Sequence, residues 1–359
     1  MLGLSKINLT EDLFAWYKPY DLIFKKPAGT SRGVLTKKTS WFLFIKDKKT
    51  DVVGIGECGP LPGLSSELNY GLEEKLKEVV EESSLCLHYL KYGLEEYPSV
   101  RFALETALLD LQGGGKRLLF ENDFTSTVKG IPINGLIWMG SAENMHNQME
   151  QKLADAYSCI KMKIGAIDFQ KEIELLRKIR SSFDKSKIIL RVDANGAFSS
   201  DCDKKLYELS KLDIHSIEQP IKQGQISKMS ALCRSAPLDI ALDEELIGIH
   251  GKEAKKELLE KINPQFIIIK PSLLGGFEAS MEWINIAESK QIGWWVTSAL
   301  ESNIGLNAIA QWTYELGVKM HQGLGTGQLY TNNIDSPLYI DKGHLYYGEQ
   351  NKWDLKPLL

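Results

Sequence analysis

A chain of 359 residues, 43% hydrophobic and 25% charged, is long enough for a large core and two domains. That composition excludes disordered, collagen-like and membrane-embedded classes. The formal net charge of −4 argues against nucleic acid as a partner, which takes a concentrated basic surface.

Residues 1–20 mix charged and apolar positions and lack an apolar signal core. No stretch approaches the ~20 apolar residues that cross a bilayer. Cys58, Cys86, Cys159, Cys202 and Cys233 are widely spaced with no Cys-x-x-Cys pair, so a reducing compartment is expected rather than a disulfide frame or zinc ribbon. A cytoplasmic protein without a membrane partner follows as the expectation.

The first third reads as strands at 5–17, 22–24, 34–46 and 52–57, punctuated by Pro27, Gly29 and Gly33. The stretch 25–33 suits a lid over an active site, or an ordinary hairpin tip, and Arg32 within it is a candidate for a substrate carboxylate. Helical patterns follow at 66–92 and 99–111, the second apolar at Phe102, Leu104, Ala107, Leu108 and Leu111. Gly113, Gly114 and Gly115 close this α+β unit, 1–115. Without a preceding strand or a following Lys-Ser/Thr they read as a loop, not a phosphate cradle.

From 131 a second rhythm begins. β-Branched runs at 131–137, 158–164, 188–193, 214–218, 238–242, 266–270, 293–297 and 318–321 alternate with helical stretches such as 169–183, 203–212, 226–235 and 277–290. Eight strand–helix units predict a parallel (β/α) barrel over 116–330; an open doubly wound sheet is the alternative. The tail, 331–359, contains strand and turn patterns and is expected to pack back on the first domain, completing it as a cap.

The strand ends carry the chemistry. Lys161 and Lys163 end the second strand, Arg191 and Asp193 the third, Glu218 the fourth, Asp243 the fifth and Lys270 the sixth. Asp193 to Glu218 and Glu218 to Asp243 are each 25 residues, and Asp243 to Lys270 is 27. One repeat per step places these side chains around one mouth, at the C-terminal ends where barrel enzymes keep their active sites. A lone acid after a strand is usually a helix cap; three in register between lysines are not explained that way.

Three converging carboxylates need a cation among them. All-oxygen ligation by Asp193, Glu218 and Asp243 favours a hard ion, Mg2+ with Mn2+ as a substitute. Such an ion holds a substrate carboxylate and takes up the charge that appears when the adjacent proton leaves. Lys161 and Lys163 alternate around Met162 and so point inward about 7 Å apart. Their repulsion and the ion are expected to lower the pKa of Lys163 and make it the base. Arg191 shares the inward face with Asp193 and needs an anion there, either a metal carboxylate or a substrate carboxylate.

At these residues the sequence resembles the enolase superfamily and, within it, the o-succinylbenzoate synthase family. The resemblance rests on the run Gly-Ile-Gly-Glu-Cys-Gly-Pro-Leu-Pro-Gly at 54–63, Lys-Met-Lys at 161–163, Val-Asp-Ala-Asn at 192–195 and Ile-Glu-Gln-Pro at 217–220. It extends to Leu-Asp-Glu at 242–244, Ile-Lys-Pro-Ser at 269–272, Ser-Ala-Leu-Glu-Ser at 298–302 and Gly-Leu-Gly-Thr-Gly at 323–327. Sites of this superfamily are known for a Lys or His base beside Mg2+.

The resemblance implies an enolase-type modified barrel under an α+β capping domain, and syn dehydration of a small carboxylate, 2-succinyl-6-hydroxy-2,4-cyclohexadiene-1-carboxylate. It implies Lys163 as acid and base, Lys270 as a cation on the opposite face and Lys161 tuning Lys163. It further suggests Asn195, Ser298, Glu301, Gly325 and Thr326 as substrate contacts, although Ser298 and Glu301 equally suit helix capping.

Thr297 and Ser298 stand where acid-sugar dehydratases carry His. Gly325, Thr326 and Gly327 stand where dipeptide epimerases show Asp-x-Asp. N-Acylamino acid racemases, which use the same two lysines as opposed bases, are the alternative chemistry. A catalytically silent barrel serving as a scaffold is the alternative of another class, and an oligomer is left open.

Overall fold

The computed structural model describes residues 12–30, 33–127, 129–348 and 352–358. Arg32 and the start of the strand expected at 5–17 lie outside the described residues. β1 (Leu13–Thr30) and β2 (Gly33–Asp47) form a long antiparallel hairpin with a register shift between Ile23 and Ala28, and β3 (Val53–Cys58) pairs with β2. The two strands expected up to residue 24 are therefore one. Pro19 and Pro27 do not break it, because β1 is the edge of its sheet and needs no N–H on its outer side.

α1 (Leu72–Glu81), α2 (Cys86–Lys91) and α3 (Pro98–Gln112) cover this sheet. The single helix expected at 66–92 is divided by Gly71, at φ 77, and by a 3-10 turn at Ser83–Leu85. α3 lies directly on β3. A Cβ on Gly54 would come within 2.0 Å of the Ala107 carbonyl oxygen, and one on Gly56 within 1.9 Å of that of Ala103.

After β4 (Ile131–Pro132) the alternation runs through β5 (Gly135–Ile137), α4 (Ala142–Ala154), β6 (Cys159–Lys163), α5 (Phe169–Ser182), β7 (Ile189–Asp193) and α6 (Cys202–Ser210). It continues through β8 (Ile214–Glu218), α7 (Ile226–Ser235), β9 (Asp239–Leu242), α8 (Lys252–Ile262) and β10 (Phe266–Ile269). A short α9 (Pro271–Leu274), α10 (Gly276–Ser289), β11 (Gly293–Val296) and α11 (Asn303–Glu315) complete it. Among the described residues β5 to β11 make one seven-stranded parallel sheet in chain order.

The sheet closes into a barrel through two residues. Gln322 donates to the Pro132 carbonyl at 2.8 Å and accepts from Asn134 N at 2.9 Å, while Gly323 donates to Val296 at 2.8 Å and accepts from Ser298 N at 3.0 Å. The eighth position is thus Gln322–Gly323 and not 318–321. A Cβ on Gly323 would lie 2.5 Å from Thr297 Oγ1, so glycine permits the close approach. A 3-10 turn, Thr326–Gln328, replaces an eighth helix.

Period-two alternation divides the strands. Ile160, Met162, Val192, Ile217, Ile240, Leu242, Ile267, Ile269 and Val296 join the large core beneath the helices. Ala241, Ile268 and Trp295 form a separate small cluster on the inner face. The lysines and acids share that inner parity.

The tail divides. β12 (Leu338–Asp341) and β13 (His344–Tyr347) pair with β4 rather than with the cap sheet. Trp353, Leu355 and Leu358 do pack on the cap, against Phe42, Phe44 and Ile55. Alternating apolar positions specify a hairpin but not which edge receives it. Among the described residues no helix is long and apolar enough to cross a membrane.

Candidate active site

The inward residues at the strand ends meet at one mouth. Lys161 Nζ lies 2.8 Å from Glu218 Oε2 and 3.3 Å from Asp193 Oδ2, so one ammonium spans both carboxylates. Asp193 and Glu218 are register partners on β7 and β8. Lys163 Nζ lies 3.3 Å from Asp193 Oδ2 and donates to Asn195 Oδ1 at 2.7 Å. Across the mouth Lys270 Nζ is 2.5 Å from Asp243 Oδ2. The side chains of Asp193, Glu218 and Asp243 are 2%, 0% and 1% exposed, whereas those of Lys163 and Lys270 are 12% and 13% exposed. The acids sit at the floor and the two lysines face the opening.

Electrostatics follow from that depth. Burial opposes charge on Lys161, but Glu218 and Asp193 outweigh it and hold the ammonium well above the ordinary lysine range. Lys270 is likewise held up, against burial, by Asp243 and Glu244. Burial acts against Asp193 too, yet Lys163, Lys161 and Lys270 together hold its carboxyl well below the usual carboxylate range. Burial, against the pull of Lys161, and the neighbouring Asp193 and Asp243 push Glu218 up to about 7.

Among the described residues no three carboxylates stand in ligand geometry around one point; each pairs with a lysine. The donors nonetheless suit a hard divalent ion. All are carboxylate oxygens, they share one floor, and Glu218 Oε1 is buried with no hydrogen-bond partner, a cost that a cation removes.

The other candidates divide. Ser298 Oγ lies 2.6 Å from Thr326 Oγ1, which brings the ends of the seventh and eighth positions together. Glu301 is fully buried and occupied, accepting from Ala299 N at 2.7 Å and from Ser272 Oγ. A Cβ on Gly325 would make ordinary contact, at 3.7 Å, with the Asn134 carbonyl oxygen and Ile133 Cδ1.

Among the described residues Arg191 pairs with none of the three candidate metal carboxylates. It donates to the His321 carbonyl oxygen at 2.8 Å, and its guanidinium lies 3.9 Å from the centre of the Trp295 ring. The alternation puts it inward, but one layer deeper than Asp193, where an aromatic face takes the place of an anion.

Sequence reasoning gave no role to two neighbours. Gln219, fully buried at φ 38, accepts from Asp243 N at 3.2 Å and Glu245 N at 3.3 Å and donates to Glu245 Oε2 at 3.0 Å. It splints the acid-bearing segment after β9. Trp138, whose ring centre is 5.8 Å from Lys163 Nζ, follows the first barrel strand with no local signal beyond that position.

A closed parallel barrel with carboxylates and lysines at consecutive strand ends, under an antiparallel cap, defines the enolase-type class. The enolase C-terminal domain-like family matches residues 144–350. The chain is 49% identical to the o-succinylbenzoate synthase of Desulfotalea psychrophila, covering 92% of this chain and 97% of that one. The crystal structure of MenC from the same organism superposes with a TM-score of 0.82 at 44% identity, covering 93% and 99% of the two chains. The N-succinylamino acid racemase of Thermus thermophilus is 27% identical over 77% of this chain and 75% of its own. The chain belongs to the enolase superfamily, in the family of the o-succinylbenzoate synthases. Enzymes of this superfamily work with a divalent metal.

Proposed function

We propose that the chain dehydrates 2-succinyl-6-hydroxy-2,4-cyclohexadiene-1-carboxylate to o-succinylbenzoate, the aromatising step of menaquinone assembly. The observation that carries this reading is the pair Lys163 and Lys270, on opposite sides of three buried carboxylates and facing the opening. Asp193, Glu218 and Asp243 would hold Mg2+. When bound, the ion neutralises charge developing on the substrate carboxylate.

The protein's own groups do the rest. Lys163, as the neutral amine, takes the proton from the ring carbon bearing the carboxylate. The electron pair released there then expels the hydroxyl from the neighbouring carbon. Lys163, now an ammonium, returns its proton to the leaving oxygen, so water departs and the amine is regenerated. One residue serves both steps because both bonds lie on one ring face. Lys270, which Asp243 and Glu244 hold as an ammonium, stabilises the anionic intermediate from the other face without transferring a proton. Asn195, bonded at once to Lys163 and to Glu244 Oε1 at 3.0 Å, orients the base. Ser298 and Thr326 offer hydroxyls to a substrate carboxylate.

The test is to supply purified protein with the cyclohexadiene acid and, separately, with an N-succinylamino acid. Loss of diene absorbance is expected to be fast and to cease in excess EDTA, while optical rotation of the amino-acid derivative changes slowly by comparison. Fast racemisation with little dehydration would reverse the assignment.

A further inference from the structure

We propose that Glu57 is a positioning residue: a buried carboxylate of the cap that fixes the turn after β11 and, through it, Ser298 and the segment behind Lys270. This rests on reading the barrel mouth as the active site.

Glu57, the penultimate residue of β3, is fully buried. Its carboxylate accepts from Ser302 N at 2.9 Å, from Ser302 Oγ at 2.6 Å and from Gly305 N at 3.1 Å. Those groups are the start of α11, so an acid from one domain holds a helix N-terminus of the other. Ser40 Oγ donates to Glu57 at 2.8 Å, and the fully buried Lys38 lies 3.7 Å away. Two glycines make the room. A Cβ on Gly59 would be 2.6 Å from Lys38 Nζ, and one on Gly305 would be 2.9 Å from Glu57 Oε2.

The turn before Ser302 cannot hold itself. Leu300 sits at φ 64, a region that costs a bulky L-residue energy and persists only where surroundings over-determine it. Three contacts do so. Tyr330 donates to the Leu300 carbonyl at 2.6 Å, Glu301 ties Ala299 N to Ser272, and Glu57 anchors Ser302. Ser298, which meets Thr326, opens this turn; Ser272 lies two residues beyond Lys270. The route from the cap therefore reaches Lys270 and Ser298, at the ends of the adjacent strands β10 and β11, on one side of the mouth.

Capping alone does not give this result, and the same cap supplies the comparison. Glu105 of α3 accepts from Phe277 N at 2.6 Å and Glu278 N at 3.2 Å at the start of α10. That is also a buried carboxylate on a barrel helix N-terminus, but without a strained turn beside it.

The experiment compares Glu57→Gln, Glu57→Asp and Glu105→Gln in the metal-loaded enzyme, measuring dehydration kinetics and amide hydrogen exchange. Glu57→Gln is expected to lower kcat about tenfold to a hundredfold with KM changed less than about threefold, as small misplacements of reacting groups do. Exchange at 298–306 is expected to speed up, Glu57→Asp to recover part of kcat, and Glu105→Gln to keep kcat. Should Glu57→Gln not fold, Ser302→Ala removes the hydroxyl bond to Glu57, together with the cap on Ile304 N, and is expected to lower kcat about threefold to tenfold. Equal loss of kcat in the Glu57 and Glu105 variants, or unchanged kcat and exchange in Glu57→Gln, overturns the proposal. A wild-type chain that fails to dehydrate the acid instead refutes the assigned reaction, and the exchange measurement, which needs no substrate, still judges Glu57.

Discussion

Lys163 and Lys270 have the same functional group, and their neighbours give them different work. Lys163 has an amide and a shared carboxylate oxygen as partners, at 2.7 and 3.3 Å, whereas Lys270 is locked on Asp243 at 2.5 Å. A base must shed its proton each cycle; an electrostatic partner need only keep its charge. Arginine retains charge but does not deprotonate, so it separates the roles. Lys163→Arg is expected to lower kcat by about 100-fold to 10,000-fold, the usual worth of a general base. Lys270→Arg is expected to retain more dehydration than Lys163→Arg. The measurement is kcat for dehydration in both variants, and equal losses would show that Lys270 also transfers a proton.

At the scale of elements, the glycines of β3 explain why its sequence is so particular. Gly56 lets α3 rest on the strand, because a methyl there would stand 1.9 Å from the Ala103 carbonyl oxygen. Gly56→Ala is therefore expected to cost about 1–3 kcal/mol by overpacking, read as a lower urea midpoint. Gly325, with φ −90 and nothing nearer than 3.7 Å to a built Cβ, makes the contrast. Gly325→Ala is expected to stay within about 0.5 kcal/mol of wild type.

The same physics says what could be read from residues alone. Barrel strands such as β8 announce themselves because buried β-branched runs and 25-residue spacing are local signals. The acids and lysines followed from strand-end position. The eighth position did not, because closure there needs only the backbone of Gln322 and Gly323 and no apolar run. β1 was cut in two at 18–21, around Pro19, and stopped short of Pro27; proline breaks a central strand, and the edge position that excuses it is a tertiary fact. Arg191 was given the right face, but its contacts with the His321 carbonyl and the Trp295 ring were not foreseen, since alternation fixes direction but not depth. The work of Glu57 was illegible for a similar reason: its partners lie some 245 residues away.

For the molecule as a whole, half-buried histidines of the barrel and buried carboxyls of the cap pull stability in opposite directions with pH. At the end away from the mouth, His215 bonds Ser216 Oγ at 2.9 Å and His321 bonds Ser158 Oγ at 2.8 Å. Burial, and then the charge of Arg191, push both rings from 6.5 down to about 4. The folded state keeps them neutral, while the unfolded chain takes up protons below 6.5. Their contribution is therefore full above that value and is lost as pH falls towards 4. Glu67 and Glu105 behave oppositely. Burial raises both from 4.5 to about 7, so the fold favours their protonated forms and their contribution declines as pH rises through that interval. Because the two trends overlap, the wild-type curve alone does not separate them, but a variant does. Replacing both histidines, His215→Gln with His321→Gln, removes the acid-side loss and leaves the carboxyl trend. Urea unfolding measured across pH about 4 to 7 is expected to show the variant losing less stability than wild type on the way down. Parallel curves for the two proteins would mean that the histidines take up protons in the folded barrel as readily as in the unfolded chain.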